Sequence, residues 1–191
     1  MTHKDIYTKF MIEYDKANVT SSYPSLTEYE VATVLDKAYN ALIAQKVTGN
    51  NIRRVALEGD LKNISDLSPL IKNNDQSLNK IKKTNIASCK LPEDMLYYVS
   101  GKLVQTVNTP MDGITERALP VKLVNHQIAD KFIVSAYNLP WIKTPVCYIE
   151  EDEINVVYDS VNKPELDSPY KIELTYVKTP NKFAKDLSIY E

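Results

Sequence analysis

The sequence predicts an α+β protein: an N-terminal helical bundle, then a mostly antiparallel β module with one inserted helix. Three observations carry this. Before about residue 75 the apolar residues recur at helical spacing. From residue 85 they fall into short β-prone runs, punctuated by prolines that concentrate from Pro110 onward. One helical pattern interrupts those runs, so the order is helices and then strands rather than alternating βαβ units. The predicted division is 1–74 for the bundle, 75–84 for a connection and 85–191 for the β-rich module, and the two can pack as one unit.

The first helix starts at Thr2-His3-Lys4-Asp5, with an acid in the first turn, and carries Ile6, Phe10 and Tyr14 four apart, with Tyr7 and Met11 beside them. Two capping boxes compete to open the second: Ser25 with Glu28, or Thr27 with Glu30. Behind them Val31, Val34, Leu35, Ala38, Leu42 and Ile43 form the clearest amphipathic stripe, which predicts a core face, and Gly49 fits a C-cap. Asn51 can cap a third helix through about Leu61, and 66–71 a short fourth. Residues 73–84, NNDQSLNKIKKT, read as a solvated connection. Strands are predicted at 85–89, 96–107, 118–124, 146–149, 154–158 and 171–177. Asn125 caps a helix from His126 to about Tyr137, with Ile128, Phe132 and Ile133 as its apolar face. Long loops are expected at 108–117, 138–145 and 159–169.

Composition narrows the function. The 191 residues are 43% apolar, enough for a packed core. The net charge of −2 gives no general attraction to nucleic acid. Cys89 and Cys147 suit buried free thiols better than a disulfide framework. No run is long enough to span a bilayer and the N-terminus has no signal core, which predicts a protein made in a cytoplasm. Thirteen tyrosines suit half-buried strands and wet interfaces, while four glycines leave little for a phosphate-cradling loop.

The acidic run Glu150-Glu151-Asp152-Glu153 invites a metal-site reading. It lies between two β-prone runs at hairpin distance, and consecutive residues in an extended loop point apart, so a solvated hairpin tip is the expectation. His126, at a helix start, is read as a neutral capping or packing residue. The two cysteines and two histidines lack ligand spacing for zinc. A Cys–His nucleophile pair using Cys89 or Cys147 with His126 would meet only in space, so spacing leaves it open. No metal, cofactor or catalytic set is therefore assigned, and the expectation is that the chain is not an enzyme. Trp141, in NLPWIKTP, reads as a core anchor or an interface residue, and Tyr137 belongs with it as a candidate interface residue. Lys80, Lys82 and Lys83 are the candidate basic contact to a passing nucleic acid.

Several stretches together resemble a structural protein of crAss-like bacteriophages. SLTEYEVATVLDKAYNALIAQ followed by GNNIRRVALEGDLKNISDLSPLI is similar to its N-terminal half. LPEDMLYYVSGKL resembles its Leu-Pro-acid-Asp-apolar segment, VKLVNHQIADKFIVSAYNLPW its V-K-x-x-x-H helix and proline turn, and PYKIELTYVKTPNKF its last strand. The family's basic, proline-rich stretch is here SAYNLPWIKTP, without the arginine. The resemblance runs from about residue 4 to 183. It implies a ring-forming head-to-tail connector or tail tubular A-type adaptor of the virion, in twelve copies, bound to itself, to the portal and to other ring or tail proteins. Genome DNA would pass through the channel without sequence-specific binding. The location implied is the tail or neck of the virion, with no membrane anchor. The competing readings are a small hydrolase with a Cys/His or carboxylate site, and a nucleic-acid-binding accessory protein.

Overall fold

The computed structural model describes residues 2–16, 26–50, 54–78, 80–83, 85–106, 116–134, 139–140, 143–158 and 171–183. The chain divides into two compact units, Met1–Ser68 with Pro180–Glu191, and Pro69–Thr179. The fold class is α+β, as the periodicities predict. The division falls after Ser68, earlier than the expected boundary at 74, because the chain turns to strand at Ile71.

The helical unit begins with α1, His3–Lys16. Thr2 and Asp5 close its first turn reciprocally: the Asp5 N–H donates to Thr2 Oγ1 at 3.2 Å and the Thr2 N–H to Asp5 Oδ2 at 2.8 Å. Ile6, Tyr7, Phe10, Met11 and Tyr14 lie half-buried on one face, with the Phe10 and Tyr14 rings stacked at 6.2 Å. Helix α2 spans Glu28–Thr48. Of the two candidate boxes, Thr27 with Glu30 is formed, and Ser25 lies outside the described residues. Gly49 ends the helix at φ 77°, where a Cβ would stand 2.8 Å from the Ala56 nitrogen, so only glycine fits this C-cap.

The face that α2 buries differs from the one expected. Val31, Ala32 and Ile43 are buried, with Leu35 and Tyr39 half-buried beside them, whereas Val34, Ala38 and Leu42 are exposed. The apolar residues of α2 cover more than one face, and the packing selects the face carrying Asp36 and Tyr39. The Phe183 N–H donates to Asp36 Oδ1 at 2.9 Å, and the buried Phe183 ring meets Tyr39 edge-on at 6.1 Å and His3 at 4.2 Å.

The expected third and fourth helices are also redrawn. Between Arg54 and Asp60 there is only a 3₁₀ turn, Leu57–Gly59. Asp60, not Asn51, caps the next helix: its side chain accepts from the Lys62 N–H at 3.0 Å, and α3 runs Leu61–Leu67, starting where the third helix was expected to end. Lys46 pairs with Asp66, tying α3 to the last turn of α2. A second 3₁₀ turn, Ser68–Leu70, replaces the fourth helix.

The other unit is one eight-stranded sheet with α4, His126–Val134, on its outer face. The strands are β1 Ile71–Ser77, β2 Lys80–Lys83, β3 Ile86–Lys90, β4 Met95–Thr106, β5 Glu116–Leu123, β6 Val146–Glu150, β7 Glu153–Val157 and β8 Lys171–Lys178, in the order β1-β8-β4-β5-β6-β7-β3-β2. The six strands expected from 85 to 178 are all present. The connection expected at 75–84 is instead the end of β1 and all of β2. Of the loop expected at 108–117, Glu116 and Arg117 belong to β5, and 159–169 lies outside the described residues.

The two end strands of this sheet are consecutive in sequence. Three positions separate Ser77 of β1 from Lys80 of β2, so about 11 Å of extended chain joins the two edges. The sheet therefore curls until its edges meet at Leu78, which is buried in the interior. Residues 71–77 pair with β8, and 80–83 pair with β3. Two register shifts in β4 against β8, at Met95/Tyr97 and Tyr98/Ser100, supply the bend that such curling requires. Gly101 follows them; a Cβ there would sit 2.9 Å from Tyr98 Oη, so the tyrosine ring occupies the space a side chain would take.

Alternation then puts one residue in two inside. Ala87 and Cys89, Leu103, Leu119 and Val121, Cys147, Ile154 and Val156, and Ile172, Leu174 and Tyr176 form a single interior. On the outside, Ala129 of α4 covers Ile86, Val146, Tyr148 and Val157, with Phe132 and Ile133 alongside. Ile128, expected on that face, is exposed, and Ala129 takes its place. Asn125 caps α4 as read, its Oδ1 accepting from the Ile128 N–H at 2.9 Å. Among the described residues the only parallel pairing is β5 with β6, and α4 sits in the connection that a parallel pair needs.

The acidic run is the tip of the β6–β7 hairpin. Glu150 pairs with Glu153, and Glu151 and Asp152 make a two-residue turn, shorter than the four- or five-residue loop the sequence suggests. Glu151 is held at φ 52°, in the left-handed region that costs an L-residue about 1–2 kcal/mol. Glu151→Gly should therefore stabilise the protein by about 1 kcal/mol. An unchanged or lower urea midpoint would mean that the turn carries no such strain.

Candidate functional site

Asp94 is the node of the described polar network in the sheet unit. It lies in the turn between β3 and β4, in the segment Leu91-Pro92-Glu93-Asp94. One carboxylate oxygen accepts from the Tyr176 hydroxyl at 2.7 Å, and the other from Lys72 Nζ at 2.9 Å. Its backbone carbonyl accepts from the Thr179 N–H at 2.7 Å. One residue thus ties the β3–β4 turn to β1, to β8 and to the exit of β8. The Leu-Pro-acid-Asp segment and the Tyr-Val-Lys-Thr-Pro ending, singled out separately in the sequence, meet here.

The electrostatics follow from the contacts. The Lys72 hydrogen bond, then that of Tyr176, holds the Asp94 carboxyl below the usual carboxylate range. The same bond raises the Lys72 ammonium. Burial, then the neighbouring carboxylate, pushes the Tyr176 phenol up. A depressed folded pKa means that the Asp94 contribution is present above the unfolded carboxyl value of about 3.9 and is lost as pH falls through the folded value. Lys72 and Asp94 are both about half exposed, so solvent screens the pair. Asp94→Asn should cost about 0.5–1 kcal/mol at neutral pH. It should also flatten the loss of stability on the acid side, read as the urea midpoint against pH. Identical acid-side slopes in the two proteins would remove Asp94 from this role.

Beside this turn an open cleft of about 630 Å³ lies between Leu91–Tyr98 and the β6–β7 tip. Leu91, Met95, Tyr98 and Ile149 form its floor, which is continuous with the interior of the sheet. Glu93 and Asp152 stand on its rim. The Leu91 N–H donates to the Asp152 carbonyl at 2.7 Å, pinning the hairpin tip to the turn and closing one end of the cleft.

The other candidate residues are placed as follows. Cys89 and Cys147 are free and buried. Burial pushes each thiol up to about 11, so both are protonated at neutral pH, the reverse of an activated nucleophile. His126 opens α4, and its ring packs edge-on against Tyr148 with centroids 5.3 Å apart, the packing position expected of it. Among the described residues, no three of His, Cys, Asp and Glu are grouped to hold a metal ion. Lys80, Lys82 and Lys83 lie in β2, at the end of the sheet order. Trp141 and Tyr137 lie outside the described residues. Sequence reasoning missed the Asp94 node because its partners are 22 and 82 residues away. The Leu-Pro-acid-Asp pattern was the one signal pointing to it. No described helix is long and apolar enough to cross a membrane. No protein-family model matches the chain, and no curated protein matches it closely.

Proposed function

We propose that this chain is a structural subunit of a phage head-to-tail connector or tail ring, part of the channel between portal and tail through which genome DNA passes. The observation that carries the reading is the ordered resemblance of four stretches over most of the chain. The fold gives those stretches coherent physical roles. SLTEYEVATVLDKAYNALIAQ contains the capped helix α2, LPED and YVKTP join at Asp94, and VKLVNHQIADKF forms the end of β5 and most of α4. A framework set by hydrogen bonds at strand ends suits a part that bears load in an assembly. The net charge of −2 suits a channel wall along which DNA slides without being held. Two buried thiols pushed up to about 11 weigh against the Cys/His hydrolase alternative.

The copy number of twelve and the contacts to portal and tail proteins come with the resemblance. Infection by a phage lacking this chain tests the reading. Heads should fill but fail to join tails or to retain DNA. Normal yields of tailed, infectious particles would overturn it.

A further inference from the structure

The sheet unit carries two unlike surfaces that complement one another. The first is the cleft, with an apolar floor and a lining that holds Glu93, Asp152 and Lys90; the exposed Glu150 and Glu151 stand beside Asp152 in the same hairpin tip. Lys90 pairs with Glu93 at 3.4 Å, Lys72 is bonded to Asp94 in the same turn, and Lys178 lies opposite Met95, so the four acids of the turn and tip keep an acidic excess around the cleft. The second is the outward face of α4, on the flank of the unit. There Ile128 is 41% and Val134 84% exposed, although α4 buries Ala129 on its other side. Lys131 lies on α4, and Lys122 and Lys143 lie near the start of β6; Asp130 is the acid among them. One surface is apolar with an acidic rim, and the other is apolar with mostly basic neighbours.

We infer that the cleft of one copy receives the α4 flank of a second copy of this chain. The occupant follows from charge: acids around an apolar floor select an apolar partner flanked by cations, which Ile128 and Val134 of α4 supply together with Lys131, Lys122 and Lys143. The contact joins two different patches of the chain, so made head to tail it is heterologous and, repeated, generates a closed ring or an open filament. This deepens the ring reading by naming the faces that meet.

The test is disulfide trapping between full-length single variants, Leu96→Cys at the cleft and Val134→Cys on α4. Both positions are exposed, while Cys89 and Cys147 are buried and react slowly. Oxidation accumulates even brief encounters, so a weak contact is still read. Mixing the two variants should give cross-linked dimers about tenfold faster than either variant alone, or than Leu96→Cys mixed with Glu116→Cys. Adding Asp152→Lys to the Leu96→Cys chain should slow the reaction at low salt. Equal rates in the mixture and the control, or faster self-cross-linking of one variant, would overturn the inference. The connector reading is judged separately, by infection without the chain.

Discussion

Ile43→Ala is expected to cost about 2–5 kcal/mol, whereas Leu42→Ala, one residue away, should change stability by about 0.5 kcal/mol or less. Ile43 is fully buried on the face of α2 that carries Asp36 and Tyr39, while Leu42 is 47% exposed. Truncating Ile43 removes buried methylenes and leaves a cavity, whereas truncating Leu42 removes surface already in water. Urea unfolding of the full chain, followed by helical circular dichroism, separates the two. Equal losses would mean that α2 is rotated from the orientation fixed by the Asp36–Phe183 bond. The same argument lowers the cost of Leu35→Ala below that of a fully buried leucine, because Leu35 is only half-buried.

Leu174→Ala should cost a similar 2–5 kcal/mol, and Thr175→Ala should cost far less. Leu174 is fully buried in the interior onto which β3 to β8 all face. Thr175 points the other way and shares a single exposed hydrogen bond with Asn73. The contrast tests the curled sheet itself. The alternative is that β8 faces a core of its own, apart from that of β6 and β7. Leu174→Ala would then leave the burial of Val156 and Cys147 untouched. Hydrogen exchange should instead show lowered protection in β6 and β7 as well as in β8. Protection lost from β8 alone would contradict the shared interior.

What the sequence made legible has a physical pattern. The strands from β3 to β8 bury one or both faces, so their side chains must alternate or run apolar, and both patterns are visible in the letters. The strands β1 and β2 were not legible. Ile71-Lys-Asn-Asn-Asp-Gln-Ser77 has little apolar alternation, because β1 is held by backbone pairing to β8 and exposes most of its side chains. The Lys80–Lys83 strand reads as a polar connection because its letters, Lys-Ile-Lys-Lys, carry a single apolar residue, while backbone pairing to β3 makes it a strand. Capping residues were legible at Thr27, Gly49 and Asn125, where the signal is local. The orientation of α2 was not, since Val34, Ala38 and Leu42 make as good an apolar stripe as the residues that are buried. It is set by Phe183, 147 residues away from Asp36. The Asp94 node is hidden in the same way: each residue in it is ordinary until the strands are in register.

A density map of the unique vertex of the phage particle in which we propose this chain to sit is the decisive measurement. A closed ring of this subunit between portal and tail, with DNA or an open channel on its axis, is the expected result. Absence of the chain from purified particles, or its presence in the capsid shell away from that vertex, would contradict it.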